Sequence, residues 1–256
     1  MATRNPLNLG AAARAMSNFG FLRLRVVNPY EVAFREARSA VGAPELLASA
    51  EEYKGIAEAV ADCTLVVGTT AVRHRDLQHP LRLLEEGADL IRTHLHSGVA
   101  GSGAMSSGSM NLKPTNEGSR VALLFGSEKR GLSNQDLSHC HWLLRIPTRE
   151  EHISMNMGQA VAVCLYELVR EVRTVTPMQQ PDRLDLAITG ELERITTLLL
   201  DALRASGYLD PRPTAAAEEK IRRLVRRLNL PAADAEIWLG MLRQIVWKLK
   251  GSDGTS

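Results

Sequence analysis

Three short stretches of this chain place glycines and polar side chains where a ligand could be held. Gly126-Ser127-Glu128-Lys129-Arg130-Gly131 follows the apolar run Val121-Ala122-Leu123-Leu124-Phe125. Its glycines stand where a chain must turn tightly or approach a ligand closely. Glu128 lies between a strand end and a helix opened by Ser133, placed to accept hydrogen bonds from loop amides. Ser154-Met155-Asn156 opens a long apolar helix. Serine and asparagine both favour helix N-termini, so capping explains one of them and leaves a spare polar group. Asn8-Leu9-Gly10-Ala11-Ala12-Ala13-Arg14 reads as an Asn-capped helix whose small first turn admits another backbone or a ligand. Arg14, about one turn in, is in reach of a phosphate or a ribose. Each stretch also has a bland reading: a strand–turn–helix corner, a cap, a solvated arginine. The 126–131 turn is not a dinucleotide fingerprint, because its glycines do not open a helix at the required spacing.

Other chemistry-bearing residues point less far. His139-Cys140-His141 invites a metal, but adjacent side chains on a strand alternate direction and no second ligand pair has suitable spacing, so no metal is expected. Cys63, Cys140 and Cys164 are too few and too widely spaced for a disulfide framework, which fits a reducing cytoplasm. Cys164 sits on an apolar helix stripe and reads as a core residue, while the role of His152 is open. Near the C-terminus Lys220, Arg222, Arg223, Arg226 and Arg227 fall on one side of a helical pattern, with Ile221, Leu224, Val225 and Leu228 on the other. Such a run is either a solvated face or a set of phosphate contacts.

The elements that must position these residues follow from periodicity. Residues 22–27 and 64–67 read as strands, the second ending in Gly68-Thr69-Thr70; residues 121–125 and 142–146 read as two more. Helical patterns cover 31–41, 43–61, 80–94 and 154–173. Strands alternating with helices predict an α/β domain with a parallel sheet covered on both faces. Residues 96–118, rich in Gly, Ser, Asn and Met, read as a flexible insert that includes the low-complexity Gly101-Ser102-Gly103. Pro177 and Pro181 mark a linker at 174–182, and helices follow at 184–206, 215–230 and 232–250. The division falls near 178, into residues 1–177 and an all-helical extension, 178–256.

A chain of 256 residues with a net charge of +2 neither demands nor excludes a nucleic-acid partner. No run approaches a membrane span and no secretory segment opens the chain, so a soluble protein without membrane attachment is expected.

Taken in order, these segments resemble a known family. Asn8-Leu9-Gly10-Ala11-Ala12-Ala13-Arg14, then Phe125-Gly126-Ser127-Glu128-Lys129-Arg130-Gly131-Leu132, then Ile146-Pro147 with Ser154-Met155-Asn156-Met157 resemble the three motifs of the TrmH-type branch of the SPOUT RNA 2′-O-ribose methyltransferases. The likeness is strongest to the TrmJ-type tRNA methyltransferases and spans residues 5 to about 173. Leu65-Val66-Val67-Gly68-Thr69-Thr70-Ala71-Val72-Arg73 and Asp136-Leu137-Ser138-His139-Cys140-His141 fit the same branch. The resemblance implies a C-terminal trefoil knot in the α/β domain, an exception to unknotted topology. It implies S-adenosylmethionine held by Thr69, Thr70, Ala71, Gly126, Ile146, Ile153, Ser154 and Met155, and a homodimer with the site at its interface. It also implies methyl transfer to a ribose 2′-hydroxyl of tRNA, at nucleotide 32 of the anticodon loop, with Arg14 as the principal catalytic group. Ser154, Asn156, Asn8 and Glu128 would orient the groups, and Arg14, Lys220, Arg222, Arg223, Arg226 and Arg227 would contact RNA.

Two other readings stay open, the same reaction on ribosomal RNA and a knotted RNA-binding dimer without catalysis. A purely structural helical dimerisation protein leaves three polar motifs unexplained. Only Met1-Ala2-Thr3-Arg4 precedes the first motif, where the resemblance implies an apolar strand. The expectation is a mis-set or truncated start, or a sheet lacking that strand, which bears on how Asn8 and Arg14 are anchored.

Overall fold

Leu65-Val66-Val67-Gly68 is buried throughout, as a strand covered on both faces requires. The computed structural model describes residues 5–39, 45–71, 78–97, 119–170, 185–210, 212 and 214–252. The elements run α1 (Pro6–Asn18), β1 (Arg25–Val27), α2 (Glu31–Ser39), α3 (Glu45–Ala48), β2 (Glu51–Tyr53), α4 (Ile56–Ala59), β3 (Leu65–Thr69), β4 (Leu81–Leu83), α5 (Leu84–Ser97), β5 (Val121–Leu124), α6 (Asn134–Leu137), β6 (Trp142–Arg145) and α7 (Met157–Val169). Three helices follow: α8 (Thr189–Ala205), α9 (Ala215–Arg227) and α10 (Ala232–Ser252).

The main sheet is parallel, in the order β4-β6-β3-β5, and β1 and β2 form a separate parallel pair. Gly68 pairs with Leu124 and Thr69 with Leu144, so β3, β5 and β6 end nearly level and release their following residues side by side. Strand alternation sorts the two faces. Leu65, Val67 and Leu144 meet Leu84 and Ile91 of α5 and Cys164 of α7. Val66, Leu124 and Leu143 meet Ile56 and Ala59 of α4, Leu137 of α6 and Cys140. Helices therefore cover both faces, and each such aliphatic side chain contributes about 1.5–3 kcal/mol by leaving water.

Several boundaries differ from expectation. The single helix expected over 43–61 is α3, β2 and α4. Glu51 pairs with Arg25 in the ladder, and its carboxylate meets Arg23 at 3.0 Å and Arg25 at 3.3 Å, so tertiary pairing overrides the local helical pattern. The helix expected from residue 80 begins at Leu84. Before it, Leu81–Leu83 pairs with β6, and the Pro80 carbonyl accepts the Leu143 N–H at 2.8 Å. The cap of α1 is Asn5, whose side chain accepts the Leu7 N–H at 3.0 Å with Pro6 at the first helical position, so Asn8 lies inside the first turn. Among the described residues no strand precedes α1. The insert read at 96–118 begins inside α5, and its remainder at 98–118 lies outside the described residues, as does the linker at 174–182.

Helices α8, α9 and α10 share a core of Leu192, Ile195, Val225, Ala235, Leu239 and Leu242. Among the described residues no helix is long and apolar enough to cross a membrane.

Candidate functional site

The level ends of β3, β5 and β6 open into a recess of about 280 Å³. The residues after β3 (Thr69, Thr70, Ala71), the turn after β5 (residues 125–132), the segment after β6 (Ile146, Thr148) and the approach to α7 (Ile153, Ser154, Met155) line it, closed by Met157 and Ala160 of α7. All eight residues expected to hold a cofactor lie on this wall. Phe125, Leu132, Thr148 and Met157 line it too and were not assigned to the cofactor from sequence, since apolar residues beside a turn read equally well as core and a lone threonine carries no signal.

The turn is built from its backbone. Ser127 and Gly131 exchange two hydrogen bonds, at 3.2 and 2.8 Å. Gly131 has φ +65°, and a Cβ at Gly126 would lie 2.0 Å from the Gly131 carbonyl carbon, so both positions require glycine. Thr69 donates its hydroxyl to the Leu124 carbonyl at 2.9 Å and Thr70 its N–H to the Leu144 carbonyl at 3.0 Å. These donors knit the three strand ends together, so what these threonines offer a ligand comes from their other groups.

Beside the recess runs a chain of side-chain hydrogen bonds joining the three motifs. Asn156 donates to the Asn8 side-chain oxygen at 2.8 Å, and Asn8 donates to Glu128 Oε1 at 3.2 Å. The Asn156 side-chain oxygen accepts the Gly158 N–H at 2.9 Å, capping α7. Asn156 is thus the cap, and Ser154, exposed on the recess wall, is the spare polar group. The helices can meet because residue 158 is glycine: a Cβ there would come within 2.6 Å of Ala11 Cβ. Arg14 is not brought into this group. It is exposed on α1, off the face formed by Leu9, Ala12, Ala13 and Ala15, and it does not line the recess of its own chain.

The basic run on α9 differs most from its expected face. Arg226 is only 1% exposed; it donates to Glu193 Oε2 and to the Thr189 carbonyl, both at 3.2 Å. Arg222 donates to Glu193 Oε1 at 3.0 Å and to the Ser138 hydroxyl at 3.2 Å. Arg223 pairs with Glu219 at 3.6 Å, and Arg227 donates to the Gln78 carbonyl. Lys220 is exposed, and so are Leu224 and Leu228, which were expected to be buried. The helix is rotated about its axis because Glu193 attracts Arg222 and Arg226 inward. Arg226 and Arg222 therefore dock α9 onto α8 rather than forming a solvated phosphate-binding face, while Arg223 pairs within its own helix. No sequence pattern links residues 193 and 226, so this pairing was not legible.

His139, Cys140 and His141 diverge. His139 faces Glu193, with its Nδ1 4.0 Å from the carboxylate; burial, then Arg222 and Arg226, push its pKa down to about 3. Burial raises the Cys140 thiol. His141 Nδ1 accepts the Val66 N–H at 3.0 Å, which requires that nitrogen to be unprotonated, and burial pushes its pKa down to about 3. No group of three or more His, Cys, Asp or Glu side chains fit to hold a metal occurs among the described residues. His152 is exposed on the segment leading to the recess. A second recess, of about 530 Å³ between α4, α8 and α10, is walled largely by small and aliphatic side chains such as Ala57, Ala61, Leu198 and Leu239. Glu193, Arg194, Thr197 and Arg243 line it too, but no strand ends or tight turn present backbone groups to it as they do in the first.

A parallel α/β sheet whose strand ends, tight turn and helix start enclose a recess defines the class: an α/β protein with its recess at the carboxyl ends of its strands, where such folds bind ligands. Comparison with known proteins narrows this. The profile of the SpoU rRNA methylase family matches residues 1–166, and the chain belongs to that family. It is 31% identical over 251 residues to the tRNA (cytidine/uridine-2′-O-)-methyltransferase TrmJ of Klebsiella pneumoniae, covering 95% of this chain and 93% of that one. The enzyme of the same name from Yersinia enterocolitica is 29% identical, with 97% and 91% covered. The crystal structure of TrmJ from Z. mobilis superposes with a TM-score of 0.74 at 28% identity, covering 95% of each chain.

Proposed function

We propose that this chain is an S-adenosylmethionine-dependent RNA methyltransferase that modifies a ribose 2′-hydroxyl of tRNA, at nucleotide 32 of the anticodon loop. The observation that carries the reading is the 31% identity, across 95% of this chain, to an enzyme named as a tRNA 2′-O-methyltransferase.

The recess fits the cofactor. Phe125, Leu132, Leu144 and Ile146 offer apolar walls to a purine, while the backbone of the 126–131 turn and of the approach to α7 offers polar groups to a ribose and an amino acid. When bound, S-adenosylmethionine supplies an electrophilic methyl group on a positively charged sulfur. The protein must then hold a 2′-hydroxyl in line and exclude water, which is mainly positioning. Asn8, Asn156 and Glu128 fix the starts of α1 and α7 around the acceptor, and Ser154 offers a hydroxyl on the recess wall. A guanidinium is effectively never deprotonated, so Arg14 acts by clamping the adjacent phosphate and stabilising the developing alkoxide rather than as a base.

Because Arg14 stands outside its own recess, the reading includes a homodimer in which a second copy completes the site. Leu7 and Tyr166, apolar and exposed on α1 and α7, support that contact. The trefoil knot, the division into residues 1–177 and 178–256, and a cytoplasmic setting belong to the same proposal and rest on the family resemblance.

A second reading, the same chemistry on ribosomal RNA, is favoured by the family's own description. Incubation with methyl-labelled cofactor and either tRNA or ribosomal RNA transcripts separates the two. Label in tRNA alone is expected; label in ribosomal RNA alone overturns the substrate. Cofactor-independent RNA binding with no transfer leaves the non-catalytic dimer.

A further inference from the structure

We propose that Lys129 and Arg130, at the tip of the turn after β5, form a phosphate clamp that holds RNA across the mouth of the recess. The inference rests on the RNA-modifying reading above and names side chains for substrate recognition. Both residues are exposed, both line the recess, and neither has a hydrogen-bond or ion-pair partner among the described residues. Their neighbour Glu128 reaches Asn8 across the motif junction. The turn that carries all three is closed by the two Ser127–Gly131 hydrogen bonds. Two exposed cations thus stand on a hydrogen-bonded turn, one and two residues from a group that orients the acceptor.

Their charge selects the partner. S-adenosylmethionine carries a sulfonium and an ammonium against one carboxylate, so two further cations at the mouth do little for its net binding. A polyanion gains from both. On α9, Arg222, Arg223 and Arg226 are occupied by Glu193 and Glu219. The 129–130 pair therefore supplies positive charge where the ribose must enter.

The test measures binding of an anticodon stem–loop RNA to the full-length protein across a salt series, with cofactor affinity by calorimetry in parallel. In Lys129→Ala/Arg130→Ala, RNA affinity is expected to fall on the order of tenfold or more, and the slope of log K against log salt to become shallower by about 1.5, the release expected from two lost phosphate contacts. RNA affinity falls by a far larger factor than cofactor affinity, because the turn's backbone rather than these two side chains faces the cofactor. The charge-keeping swap Lys129→Arg/Arg130→Lys retains RNA affinity. Unchanged RNA affinity in the alanine variant overturns the clamp, and so does a parallel loss of cofactor affinity, which assigns the pair to the cofactor instead. Failure of the wild-type protein to methylate any RNA overturns the proposed activity; the stem–loop binding data still judge the clamp.

Discussion

Asn8 joins two other motifs through a single side chain, receiving from Asn156 and donating to Glu128. Asn8→Ala removes both hydrogen bonds without touching the recess wall. We expect kcat to fall about 10- to 100-fold, the cost of a misplaced acceptor, with cofactor affinity unchanged in calorimetry; equal loss of both would deny it an orienting role. The buried histidines set a pH dependence. Burial pushes His139 and His141 down to about 3, whereas an unfolded chain protonates near 6.5. The unfolded state thus binds more protons between those values, so this stability is complete above about pH 6.5 and is lost as pH falls toward 3. Unfolding free energies measured from pH 7.5 to 4.5 should be flat at first and then decline, by on the order of 1 kcal/mol per pH unit for each histidine. Residue types and spacing singled out Glu128, Ser154 and Asn156 as polar groups at a turn and a helix start, and Asn8 only as a helix cap, a place that Asn5 takes instead. Their partners were not legible, because a bond across 148 positions leaves no local trace.

At the scale of elements, the turn after β5 joins fold to function. A methyl group at residue 126 cannot coexist with the Gly131 carbonyl carbon 2.0 Å away, so Gly126→Ala must open the turn. Cofactor affinity should fall at least tenfold, on the order of the 1–3 kcal/mol that backbone strain costs, while far-ultraviolet circular dichroism stays unchanged. Wild-type affinity would mean that the turn does not shape the recess. The sheet strands were legible where apolar runs ended in glycine or proline. The β1–β2 pair was only half legible, because the charges on Glu51 and Glu52 suit a helix as well as an edge strand; its pairing with Arg25 decides.

Across the whole molecule, a charged cluster holds two of the helices after residue 185, α8 and α9, against each other. Glu193 serves both Arg222 and Arg226, and burial pushes Arg226 down to about 10. Glu193→Ala strands a buried cation and should cost about 3–5 kcal/mol in denaturant unfolding, whereas Arg226→Met, which removes the charge and keeps the volume, should come close to neutral. Equal losses in the two variants would mean that packing, not charge, governs the junction. Alternating strands and helices made the parallel sheet and the trailing helices legible. How they dock was hidden, since the arginines that anchor α9 are of the same type as those expected to face solvent.

The most direct measurement of the central claim is mass-spectrometric mapping of ribose methylation on tRNA incubated with S-adenosylmethionine and either the wild-type protein or Arg14→Ala. The account predicts a single 2′-O-methyl group at nucleotide 32 with the wild type, and none with Arg14→Ala although that variant still binds cofactor. Methylation on a base, or a ribose methyl that persists undiminished in Arg14→Ala, would contradict it.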